Sequence, residues 1–85
     1  MAAFVVERYL VGWSVGEMRE LLSSVVERAP SFAAHGVRHL RSVVIAGDET
    51  CLCVFEGPDA AGVALANTGL PYDRIVAVEL VEADA

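Results

Sequence analysis

VRHLRSVVIAGDETCLCVFEGPD, from Val37 to Asp59, decides the fold. Val37 to Ile45 and Thr50 to Glu56 are both rich in β-branched and apolar residues, and Ala46-Gly47-Asp48-Glu49 between them has turn chemistry. The pattern predicts a β-hairpin. Gly57-Pro58-Asp59 ends the second strand. Alternation puts Cys51, Cys53 and Phe55 on one face of it, with Leu52, Val54 and Glu56 on the other. Both faces are largely apolar, so the sheet needs cover on both sides.

Outward from the hairpin, Ala3 to Val11 reads as a first strand bounded by Gly12. Phe4, Val6, Arg8 and Leu10 share one of its faces; Val5, Glu7, Tyr9 and Val11 share the other. Ser14 and Glu17 have capping-box spacing, and Met18, Leu21, Leu22, Val25 and Val26 recur at helical period, which predicts a helix over Val15 to Arg28. Pro30 closes that helix and SFAAHG is read as a connection. After the hairpin, Asp59 caps a helix over Ala60 to Asn67, Gly69 stops it, and Arg74 to Val81 forms the last strand, leaving a loose Glu82–Ala85 tail. The order βαββαβ defines a single α+β domain over residues 1–85 with a ferredoxin-like plan: a four-stranded antiparallel sheet with two helices on one face. The open face is expected to be covered by a second copy, giving a homodimer of the dimeric α+β barrel type.

Composition points the same way, because a hydrophobic share of 55% in 85 residues is more than so small a domain hides internally. A net charge of -6 argues against nucleic acid as a partner. All six basic residues are arginine. No apolar run reaches membrane-spanning length and no secretory leader is read, so the expected location is the cytoplasm, with free thiols. Cys51 and Cys53 cannot bridge without strain, being two apart on one strand.

Two readings of the cysteines compete. A thiolate pair could hold a soft metal with His39 or act as a redox centre, whereas buried free cysteines ordinarily pack as small hydrophobes, shielded and slow to react. Glu7 shares a face with Tyr9, and regular alternation makes His39 share a face with Arg41. If those faces coincide on the open side, the dimer encloses a polar cavity that could take a small ligand or support proton transfer. The alternative is an Arg–Glu pair with hydrogen-bonded His and Tyr that merely settles the interface. His35, next to Gly36, is read as a turn residue. No nucleophilic triad, phosphate-binding loop or paired-carboxylate motif is visible.

VERYL (Val6 to Leu10), HGVRHLRS (His35 to Ser42), DETCLCVFEGPD (Asp48 to Asp59) and GLPYDRIVAVEL (Gly69 to Leu80) together resemble a family of small ferredoxin-like proteins of unknown function that includes nickel-binding members. The resemblance implies a small-ligand or metal-binding protein, with nickel as the metal and with Cys53 in the family's C-x-x-E-x-P element. Should a metal bind, His35, His39 and Cys53 are the candidate ligands. The nickel-binding members carry histidines in the first strand and second helix, where this chain has VVERYLV and VALANTGL, so nickel is not expected here. Fold analogy leaves two other functions open: a small monooxygenase- or isomerase-type enzyme without a cofactor, or a dimerisation module with no site.

Overall fold

The computed structural model describes residues 1–83. Its elements are β1 (Ala2–Tyr9), α1 (Val15–Glu27), α2 (Ala29–Ala34), β2 (Arg38–Ile45), β3 (Thr50–Gly57), α3 (Ala60–Ala66) and β4 (Arg74–Val78). The strands form one antiparallel sheet in the order β2-β3-β1-β4. This is the ferredoxin-like plan.

Local chemistry explains the elements. The Ser14 Oγ accepts the Glu17 N–H at 3.1 Å while the Glu17 carboxylate accepts the Ser14 N–H at 2.9 Å, so the capping box opens α1 as read. Asp59 caps α3 through the Gly62 N–H at 2.7 Å. The hairpin turns through a 3-10 turn over Ala46–Asp48, with Glu49 in the left-handed region at φ 50°. The segment read as a connection is different: α2 is a short helix, and Pro30 lies in its first turn. A missing N–H costs nothing there, so Pro30 closes one helix and opens the next.

Phe4, Val6, Cys53 and Phe55 face the helices and pack against Val25, Phe32, Val63 and Ala66. Leu10 and Cys51 extend this core beside Met18 and Leu21. Three helices, not two, therefore cover one face. The other face carries Val5, Glu7 and Tyr9 on β1, Leu52 and Val54 on β3, and Arg74 and Val76 on β4, in register as Val54, Val5 and Val76 across three strands. β4 stops at Val78, short of the expected Val81. Beyond it Leu80 and Glu82 line a depression together with Arg38, Arg41 and Glu56, so the chain crosses one end of the sheet toward β2. Of the expected loose tail, residues 84 and 85 lie outside the described part.

Candidate functional site

Arg8 stands on the apolar face of β1 between Val6 and Leu10, and it is fully buried. A guanidinium cannot shed its charge, so each N–H needs an acceptor inside the core. Its Nη1 donates to the Pro71 carbonyl at 2.9 Å and Nη2 to Asn67 Oδ1 at 2.7 Å. Its Nε donates to Cys53 Sγ at 3.5 Å. Asn67, also fully buried, is fixed in turn by its Nδ2 donating to the Val63 carbonyl at 2.9 Å. Neither salt bridge among the described residues involves Arg8.

On its other side Cys53 Sγ accepts the Ser42 hydroxyl at 3.1 Å, and Ser42 Oγ lies 2.9 Å from His39 Nε2. The His39 ring also packs on Phe55, with centroids 5.1 Å apart. His39, Ser42, Cys53, Arg8 and Asn67 thus form one continuous polar chain through an apolar core. Burial alone pushes the Cys53 thiol up, but hydrogen bonding from His39 and Ser42 and the charge of Arg8 together outweigh it and hold Cys53 below the ordinary thiol value. Cys51 goes the other way: burial first, then the neighbouring Cys53, push it up despite Arg8. Both cysteines are free and buried. Cys51 packs beside Leu10, Met18 and Leu21, whereas Cys53, in the main core cluster, also has a guanidinium and a hydroxyl beside its sulfur.

The expected cluster of Glu7, Tyr9, His39 and Arg41 is not assembled. β2 has a bulge between His39 and Arg41: His39 pairs with Phe55 and Arg41 with Val54, which point to opposite faces. The extra residue, Leu40, turns His39 to the helix side and leaves Arg41 on the open side. Glu7 and Tyr9 do share the open face, and the Tyr9 hydroxyl donates to the Glu7 carboxylate. Their arginine is Arg74, whose Nε donates to Glu7 Oε2 at 2.9 Å. The Tyr9 bond first, and Arg74 after it, hold Glu7 below the usual carboxylate range against burial, while the same bond raises the Tyr9 phenol. Asp73 anchors this corner, its carboxylate accepting the Tyr9 N–H at 2.6 Å and its own N–H donating to the Glu7 carbonyl at 2.8 Å.

The metal candidates are dispersed as well. His35 is exposed at the end of α2 and takes no part in the His39–Ser42–Cys53 chain, in which His39 and Ser42 are half-buried and Cys53 is buried. Among the described residues no three His, Cys, Asp or Glu side chains gather as a metal-holding group. Within one chain the donor set does not fit nickel: one imidazole is engaged with Ser42 and the other stands alone. Sequence reasoning missed Arg8, Ser42 and Asn67. The signal for Arg8 was present, since an arginine alternating with Phe4, Val6 and Leu10 is a charge on a core-facing stripe.

No curated protein matches the chain. Among solved structures, SCO4226 from Streptomyces coelicolor A3(2) superposes with a TM-score of 0.75 at 19% sequence identity, covering 95% of this chain and 100% of that one. At such low identity the likeness bears on the fold alone, and it supports the ferredoxin-like assignment. Residues 4–78 match the family described as nickel responsive protein SCO4226-like, a span from β1 through β4. The chain therefore belongs to the SCO4226-like family of nickel-responsive proteins.

Proposed function

We propose that the protein is a homodimeric small-ligand-binding module whose two sheets stack through their open faces, and that it does not hold nickel through imidazoles of its own. One observation carries this reading: the uncovered face presents Val5, Leu52, Val54 and Val76 as a continuous apolar field around the Glu7–Tyr9–Arg74 cluster. An apolar sheet face without a helix layer leaves water on side chains that a second sheet about 10 Å away would cover. Val43, 45% exposed at the edge, extends the field. The second copy is the natural occupant, because an isologous contact sets each apolar row against its own equivalent. It also brings two Glu7–Tyr9–Arg74 clusters under one cover, where a small polar ligand finds both a carboxylate and a guanidinium.

The enzyme reading rested on His39 sharing a cavity with Glu7 and Tyr9, and the bulge in β2 takes away that support. Among the described residues no helix is long and apolar enough to cross a membrane. Light scattering at micromolar concentration is expected to give the mass of two chains. Val54→Glu, which places a charge in the middle of the face, is expected to give one chain with its circular dichroism unchanged. A wild-type monomer overturns the proposal, as does a Val54→Glu variant that stays dimeric.

A further inference from the structure

Strand chemistry in the sequence runs on to Val81, yet β4 ends at Val78. Its one neighbour, β1, begins at Ala2, and Val78 already pairs with Ala3, so the residues after it run out of strand to pair with. The chain turns onto the open side instead. Residues 79–83 line a depression with Arg41, and Leu80 and Glu82 line a second with Arg38 and Glu56, all three of these strand residues belonging to the open face by their register. The segment is therefore an arm laid over one end of the uncovered face. It carries Leu80 43% exposed and Val81 83% exposed. The opposite end of the same face exposes Tyr9, 47%, and Val43, 45%. Tyr9 lies six positions along β1 from Ala3, a span of about 20 Å.

We infer that two copies stack with their arms at opposite ends, so that the arm of each copy covers the Glu7–Tyr9–Arg74 cluster of the other and completes its site. The inference rests on the face-to-face dimer proposed above and says which way round it is built. With the strands of the two sheets aligned, the two-fold axis of an isologous pair runs either along the strands or across them. An axis along the strands keeps both arms at the same end. An axis across the strands reverses one sheet and puts an arm at each end.

Packing decides between them. Stacked sheets stand about 10 Å apart, a gap that the facing side chains fill, so an arm lying on the face acts as a spacer. Two arms at one end hold the sheets apart there as a wedge and leave Tyr9 and Val43 of both copies in water at the other end. One arm at each end keeps the gap even. It also lays Leu80 and Val81 of one copy on Tyr9 and Val43 of the other, so that the exposed apolar side chains of the open side cover one another. Each Glu7–Tyr9–Arg74 cluster is then walled by its own sheet and by the arm of the second copy, and a ligand held there touches both chains.

Cross-linking of the full chain with a short bismaleimide, read on a denaturing gel, tests the arrangement; light scattering and circular dichroism accompany each variant. Wild-type protein, whose two cysteines are buried, is the blank. Within one chain the distance between Tyr9 and the arm end of the sheet is beyond such a reagent. The double variant Tyr9→Cys with Val81→Cys is therefore expected to give a linked pair of chains, about tenfold more than either single variant, because only the double variant sets two thiols within reach of each other. Tyr72→Cys with Val81→Cys, at the same end as Tyr9 and 38% exposed, is expected to behave alike and serves if the first pair does not fold. A wild-type monomer in light scattering removes the dimer and this inference together. A wild-type dimer in which Val81→Cys or Tyr9→Cys alone links to itself, or in which neither double variant links, overturns the arrangement and leaves the dimer standing.

Discussion

Removing the acceptor on one side of Arg8 and removing the one on the other are different perturbations. Asn67→Ala strands a charged N–H in the core and is expected to lower stability by about 2 kcal/mol. Cys51→Ala removes only packing, about 1 kcal/mol, whereas Cys53→Ala also removes the sulfur that accepts from the buried Arg8 Nε and is expected to cost about 3 kcal/mol. Urea unfolding checks the order, and equal values for the two cysteines would contradict it. The pH dependence has a definite sign. Cys53 is held below its unfolded value, so its contribution is fully present above the ordinary thiol value of about 8.5 and disappears as pH falls through the folded one. Cys51 is pushed up and opposes this, losing stability once pH exceeds the unfolded value. In a Cys51→Ala background, stability is therefore expected to climb as pH rises toward the ordinary thiol value, and adding Cys53→Ala should flatten that climb.

Among the elements, α1 depends on its reciprocal cap. Ser14→Ala leaves the Glu17 N–H without its side-chain acceptor and is expected to lower stability by about 1 kcal/mol in thermal or urea unfolding. At the end of β3, a Cβ on Gly57 would lie 3.1 Å from one methyl of Val63 and 3.3 Å from one of Val37, so Gly57→Ala is expected to destabilise by about 1 kcal/mol through overpacking. Elements set by neighbouring residues were legible in the sequence: the hairpin over Val37 to Glu56, the Ser14 and Glu17 box, and the Asp59 cap each depend on a few consecutive positions. The bulge at Leu40 was not, because it arises from how β2 pairs with a distant strand, and one extra residue inverts every later side chain. That single step separated His39 from Glu7 and Tyr9 and joined it to Ser42 and Cys53. α2 was missed for a related reason, since Pro30 ends a helix by the same property that lets it begin one.

At the scale of the whole molecule, the two faces of the sheet have separate tasks in this account. The helix side holds a core threaded by the His39–Ser42–Cys53–Arg8–Asn67 chain, and the open side holds the apolar field and the Glu7–Tyr9–Arg74 cluster. Membership of a nickel-responsive family makes the metal question sharp, because within one chain the imidazoles that remain do not converge. Native mass spectrometry of the untagged protein, incubated with nickel(II) and desalted, tests both halves of the central claim in one spectrum. The expected result is the mass of two chains without stoichiometric nickel. The mass of one chain, or nickel retained at one or more ions per chain, would contradict it.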